Sequence, residues 1–135
     1  MNRVILIAAA LLLDPQGRTL LVRKRGTAFF MQPGGKIEPH EQPVQALARE
    51  LEEELGVRIE PGQATYLGAF AAPAANEPGF EVRCELFEVM FDGPVQPAAE
   101  IEEAVWVDAE QAQALQLAPL TRDWVLPRFF AEAVS

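Results

Sequence analysis

Three glutamates within five residues carry most of the chemistry in this sequence. Val44, Leu47, Leu51 and Leu55 recur at spacings of three and four, the signature of one face of a helix over residues 43–55. At 100° per residue those four fall within about 80° of arc. Glu50, Glu53 and Glu54 fall together on an adjoining arc, and Glu52 projects to the solvent side near Gln45. Like charges at i,i+3 and i,i+4 repel. The cluster therefore either spreads into water as an acidic helix face or is neutralised by a cation. Oxygen-only donors select Mg²⁺, Mn²⁺ or Ca²⁺. Arg49 precedes Glu53 by four and can tie one carboxylate in place.

Immediately upstream lies Pro33-Gly34-Gly35-Lys36. It reads as a turn whose glycines let the backbone approach a ligand closely, followed by a lysine that supplies a point charge for phosphate. The segment as a whole is Gly35, five residues, Glu41, seven residues, then Arg49-Glu50-Leu51-Glu52-Glu53-Glu54-Leu55-Gly56-Val57. It resembles the Nudix box, G-x5-E-x7-R-E-U-x-E-E-x-G-U with U a bulky aliphatic residue, and every specified position of 35–57 matches. The run Pro33 to Glu38 looks most like MutT-type members. His40 stands where many members have glycine, so a local adjustment of the backbone is expected there. As the sole histidine it reads as a surface residue.

The resemblance implies a mixed β-sheet sandwiched between helices, of the α/β (α+β) class, with the box as a loop-helix-loop in a single domain spanning 1–135. It also implies Mg²⁺-dependent hydrolysis, with Mn²⁺ as a substitute, of a nucleoside diphosphate linked to another group. On that basis Glu50, Glu53 and Glu54 are expected to ligate metal, with the Gly34 carbonyl as a further donor. Glu50 and Glu53 are also candidates for proton transfer. Arg49 would orient Glu53, and Glu41 would stabilise the loop. A further acid is expected outside the box. Glu100, just before a strand, is favoured as catalytic and metal-binding over Glu103, and Glu102 would face the other way. The alternative is a catalytically silent nucleotide-binding module or sensor. Silent relatives tend to lose box glutamates, and this chain retains them all. A third reading makes the 43–55 helix a partner-binding surface.

The substrate side is less determined. Arg23, Lys24 and Arg25 end a strand. Alternation sends Arg23 and Arg25 to one face and Lys24 to the other, and Arg23 and Arg25 join Lys36 as expected phosphate-binding residues. Of Phe29, Phe30 and Met31, one could stack on a base, with Phe30 the choice, although core packing is the commoner role of such residues. The loop from Ala71 to Gly79 carries Asn76 and Glu77, which could read a base edge. The asparagine that MutT-like oxidised-guanine enzymes use near the C-terminal helix has no counterpart in Leu117-Ala118-Pro119-Leu120.

These groups need a scaffold. Val4 to Leu13 is an apolar run that ends in the turn signal Asp14-Pro15-Gln16-Gly17, and Thr19 to Val22 follows as a hairpin partner. That pattern fits a buried strand better than a signal peptide. Residues 29–32 read as a short strand, and 57–59 and 64–70 as strands around Glu60-Pro61-Gly62. In the strand from Phe80 to Phe91 the apolar positions run 80, 82, 84, 86 and then 87, 89, 91. Such a break in phase marks a bulge or a change of buried face. Ile101 to Val107 is a further strand. Asp108 caps a short helix over 109–115, and a last helix, about 121–132, must kink at Pro127.

Composition narrows the partners. The chain has 135 residues, 50% of them hydrophobic and 23% charged, a globular mix in about one domain. A net charge of -9 argues against bulk nucleic-acid binding and against an acidic membrane surface. The expected partner is a small-molecule nucleotide, bound by a monomer or homodimer. Charge is uneven, with Arg3, Arg18, Arg23, Lys24, Arg25 and Lys36 facing only Asp14 in the first 36 residues. Cys84 is alone and offers neither a disulfide nor a cysteine metal cluster, so a cytoplasmic setting is expected.

Overall fold

The computed structural model describes residues 3–129. At its centre lies β1 (Arg3–Leu13), paired in parallel with β6 (Phe80–Met90) from Arg3↔Phe80 to Leu13↔Met90. β5 (Ala64–Pro73) runs antiparallel along the far edge of β6. On the other side β1 meets β2 (Thr19–Lys24) only at Leu13↔Thr19. The turn between them is closed by the buried Asp14, whose carboxylate accepts from the Gln16 and Arg18 amides and the Arg18 guanidinium at 2.7–3.0 Å. β2 then diverges and pairs with β3 (Phe30–Met31) and β7 (Ile101–Val107).

The space opened on β1 is taken by β4 (Gly34–Lys36), antiparallel at Ile7↔Lys36, Ala8↔Gly35 and Ala9↔Gly34. The glycine pair was expected as a turn and is a strand. The reason is steric: a Cβ on Gly34 would overlap the Ala8 carbonyl oxygen and the Ala9 Cα, and the residue sits at φ 151°. Only glycine lets this backbone lie so close to β1.

Both faces of the sheet are covered, as expected. On one face α1 (Pro43–Leu55) buries Ala46, Leu47, Leu51 and Leu55 against Ala8, Ala10, Leu12, Leu20 and Val22. On the other, α2 (Ala109–Gln113) and the C-terminal helical segment 119–129 bury Ala112, Leu120, Val125, Leu126 and Phe129 against Ala9, Leu11 and Leu21. The uninterrupted apolar run in β1 follows from burial on both sides. The phase break in β6 is a change of face, since Cys84 and Leu86 join the second core while Phe87 and Val89 join the first. The accompanying bulge lies in the neighbour β5, between Tyr66 and Gly68 opposite Phe87 and Leu86.

Helix ends explain two departures. Gly56, at φ 69°, closes α1, and the Val57 amide donates to the Leu51 carbonyl. Residues 57–59 are thus spent on a helix C-terminus and form no strand. Near the C-terminus, Pro127 is accommodated by a widened π turn over Thr121–Val125, with the Leu126 amide donating to the Thr121 carbonyl. The expected end of that helix, 130–132, lies outside the described residues. Among the described residues no helix is long and apolar enough to cross a membrane.

Gly34→Ala should destabilise the fold by about 3 kcal/mol or more, as overpacking against backbone does. Gly56→Ala has open space around it and should cost only about 1–2 kcal/mol, for its left-handed φ alone. Urea unfolding of the two variants measures the difference, and equal losses would contradict the close approach of β4 to β1.

Candidate active site

Across the clustered glutamates Glu54, Glu50 and Glu53, exposure rises with angle from the apolar stripe. Glu54, nearest to it, is 2% exposed. The Glu50 side chain is 16% exposed and that of Glu53 is 56% exposed. Glu52 points away and pairs with Arg58 at 3.2 Å. The helical projection thus holds. Gly35 lies directly over Glu50, and a Cβ there would overlap the Glu50 carboxyl group. The Gly34 amide faces Glu54 Oε1 at 3.4 Å.

Arg49 ties the box together. Its Nε and Nη2 donate to Glu41 at 2.8 and 2.9 Å, its Nη1 to Glu50 at 2.8 Å, and Nη2 also to the Lys36 carbonyl at 3.0 Å. Glu53 stands 3.7 Å away. The expected Arg49–Glu53 pair is thus present as a loose ion pair, while the hydrogen bonds of Arg49 to side chains go to Glu41 and Glu50. Those bonds, with one from the Glu38 amide, hold the Glu41 carboxyl down to about 2 and raise the Arg49 guanidinium above its ordinary value. His40, beside Glu41, is exposed and takes φ 73°. This is the left-handed conformation that glycine adopts freely, and here histidine takes it.

The loop before β7 caps the end of α1. The Gln96 amide donates to the Leu55 carbonyl at 2.9 Å and the Ala98 amide to the Glu54 carbonyl at 2.8 Å. Glu100 is thereby brought to the same edge, where Lys24 Nζ lies 3.2 Å from its Oε1. Glu103 is held by Arg23 at 2.6 Å, and Glu102 by Arg25 at 3.2 Å. A bulge at Arg23/Lys24 places Glu102 beside Arg25, where alternation had turned it away.

A cavity opens where β1 and β2 part. Its walls include Ile5 and Ile7 of β1, Met31 and, from the loop after β5, Asn76. Lys24, Lys36 and Glu54 line it too, and Gln32 and Thr121 line it from the side of the C-terminal helix. Three residues expected to contact the ligand lie away from this cavity. Arg23 and Arg25 do not line this cavity, and their guanidiniums are engaged by β7 acids and the Thr27 carbonyl. Lys24, between them in sequence, lines it. Parity was the available signal, because Lys24 shares a strand face with Leu20 and Val22, which pack under α1. Phe30 is 8% exposed in the second core, and its neighbour Met31 is the residue on the cavity wall. Gln32 and Thr121 were missed.

Glu54 has no full countercharge. Its carboxyl is pushed up to about 7, first by burial, then by the charge of Glu50 and more weakly by Glu100, against the opposing pull of Lys24 and the Gly34 amide. Among the described residues no three acidic, histidine or cysteine side chains converge closely enough to enclose a cation. Glu50 is turned toward Arg49. The donor chemistry nevertheless fits a hard divalent ion, since every acid at this edge offers only oxygen and the buried one is under-neutralised.

A family model described as the NUDIX domain matches residues 4–129. The chain is 37% identical over 118 residues to the octanoyltransferase of Myxococcus xanthus, a match covering 82% of this chain and 32% of that protein. It thus spans about a third of that relative's length. It is 33% identical over 115 residues to the CTP pyrophosphohydrolase of Escherichia coli K12, covering 82% of this chain and 81% of that one. The structure of a MutT protein from Methanosarcina mazei Go1 superposes with a TM-score of 0.80 at 23% identity, over 99% of this chain and 98% of that chain. That likeness shows the shared fold.

Two measurements test the site. With chelator present, Glu54 keeps its proton to about pH 7 when folded and to 4.5 when unfolded. Its stabilising contribution is complete below pH 4.5 and is lost as the pH rises through 7. Urea titrations should therefore show stability falling over that window by on the order of 3 kcal/mol from this group. Glu54→Gln should flatten the fall. Separately, Gly35→Ala should displace Glu50 and depress turnover at least about tenfold while the fold persists.

Proposed function

The chain belongs to the Nudix family and is a Nudix hydrolase, and we propose that its reaction is the Mg²⁺-dependent hydrolysis of a phosphoanhydride in a nucleoside triphosphate or a related nucleotide. The observation that carries this reading is a cavity at the α1 edge lined by both apolar and charged side chains. Ile5, Ile7 and Met31 offer apolar surface for a base. Lys24, Lys36 and Glu54 share the lining, with Lys36 opposite Ile7 in the β1–β4 ladder, and suit phosphates with their counterion. A relative of similar length named as a CTP pyrophosphohydrolase supports the triphosphate class.

Glu50, Glu53 and Glu54 would hold the ion, with Glu100 and the Gly34 carbonyl as further donors. Mg²⁺ or Mn²⁺ supplies neutralisation of the phosphate charges and a more acidic water. The residues do the rest. Lys24 and Lys36 attract the polyphosphate and offset its charge. Arg49 fixes Glu50 so that it meets the substrate in one orientation. A water oxygen attacks phosphorus as the bridging P–O bond breaks, and the proton it sheds passes to one of Glu50, Glu53 and Glu100. The products are a nucleoside monophosphate and the phosphorylated leaving group. Nucleotide pools fit a cytoplasmic setting.

Incubation of nucleotides with Mg²⁺, with released monophosphate and pyrophosphate quantified, is the direct test. Turnover should vanish with chelator. Glu53→Gln should lower kcat by about a hundredfold or more, whereas Glu52→Gln, facing Arg58, should be nearly silent. Equal behaviour of the two variants would remove Glu53 from the reaction. Tight nucleotide binding without cleavage would make the protein a sensor.

A further inference from the structure

Lys24 belongs both to the acid edge and to the cavity. Its Nζ lies 3.2 Å from Glu100 Oε1, in an ion pair whose side chains are 34% and 60% exposed. Burial and the charge of Glu50 push the Glu54 carboxyl up, and Lys24 is the cation that opposes them. The same residue lines the cavity, as Lys36 does. The neighbouring guanidiniums are committed to other acids: Arg49 to Glu41 and Glu50, Arg23 to Glu103, and Arg25 to Glu102. The backbones of Lys24 and Glu100 are held together by the register shift after Arg23 and by the Arg25 amide, which donates to the Glu100 carbonyl at 2.7 Å. Their side chains are the mobile part. An ammonium on a four-carbon stem can swing between partners without disturbing the strand that carries it.

From this we propose that Lys24 is shared between the Glu100 carboxylate and the phosphates of the nucleotide, and that it passes from the first to the second when Glu100 takes up a divalent cation. The inference rests on the metal and nucleotide readings above. An ammonium and a divalent cation at one carboxylate repel each other, so each weakens the hold of the other on Glu100. Lys24 has little distance to cover once displaced, because it already forms part of the cavity wall. Glu100 and phosphate therefore compete for Lys24, while Lys24 and the metal compete for Glu100. The two competitions oppose each other, and the result is coupling: metal at the acid edge frees a cation for the phosphates, and phosphate that draws Lys24 away exposes Glu100 to metal. Such coupling is reciprocal by thermodynamic necessity.

The test uses two equilibrium titrations of the full chain. One is Mn²⁺ alone, followed by electron paramagnetic resonance. The other is tripolyphosphate in chelator, followed by calorimetry. Lys24→Met should tighten Mn²⁺ about threefold or more, because a competing cation is gone, and weaken tripolyphosphate about tenfold. Lys36→Met should weaken tripolyphosphate and leave Mn²⁺ near its wild-type affinity. Glu100→Gln should weaken Mn²⁺ and tighten tripolyphosphate about threefold. In a Lys24→Met background that gain should shrink to the effect of Glu103→Gln, which removes an equal charge held by Arg23. Thermal midpoints should stay near that of the wild type, since an exposed ion pair contributes little. The proposal is overturned if Lys24→Met leaves Mn²⁺ affinity unchanged, if Lys36→Met raises it equally, or if the Glu100→Gln gain persists without Lys24. If the opposite shifts appear but no nucleotide is cleaved, the exchange stands and the hydrolase reading falls. If nucleotides are cleaved while both ligands respond to Lys24→Met in the same direction, the exchange falls and the hydrolase reading stands.

Discussion

The structure depends on one guanidinium. Arg49 engages two oxygens of Glu41, one of Glu50 and the carbonyl of Lys36 at 2.8–3.0 Å. These contacts tie the loop after β4 to the middle of α1. Without them Glu41 and Glu50 would lose their cationic partner and the like charges along α1 would repel each other. With them, the height of β4 above α1 is set, and so is the placement of the two glycines over Glu50 and Glu54. A lysine could neutralise one carboxylate but could not match this planar fork.

The same arrangement leaves a deliberate imbalance. Arg49 satisfies Glu41 and Glu50, and it reaches no closer to Glu53 than 3.7 Å. Glu54 receives only a weak amide contact and the field of Lys24. The helix is anchored through Leu47, Leu51 and Leu55, and that anchoring drags Glu54 under the sheet edge by geometry alone, since it lies next to the stripe. Core packing is thus what forces the desolvation of a carboxylate, and the desolvation leaves Glu54 under-neutralised when ionised. Stability and chemistry pull on the same turn of helix in opposite directions.

Much of this was legible in the sequence, for an identifiable reason. The α1 boundaries, the three acids on one arc, the β6 change of face and the Asp108 cap all follow from local periodicity and local hydrogen bonding, which a linear chain displays openly. What was not legible is non-local. Gly34 and Gly35 read as a turn because nothing in their neighbourhood reports that Ala8 and Ala9 lie against them. Residues 57–59 read as a strand because three residues cannot announce that they complete a helix end. Arg23 and Arg25 attracted the phosphate role by charge, although their strand face belongs to β7 acids. Phe30 attracted the base by its ring and is core.

The division has a consequence for how such a protein acquires specificity. The clustered acids lie within 23 contiguous residues, 35–57, and Lys24, Gly34 and Glu100 join them from outside that segment. The cavity beside them draws on β1, β2, the approach to β4, the loop after β5 and the start of the C-terminal helix, so its lining, from Ile5 to Thr121, is assembled by the fold and not by one segment. Residues 32, 76 and 121 line the cavity, and none of them is among the hydrogen-bond partners of Arg49. The chemistry can therefore remain constant while the ligand changes, and a sequence pattern that captures the first says little about the second.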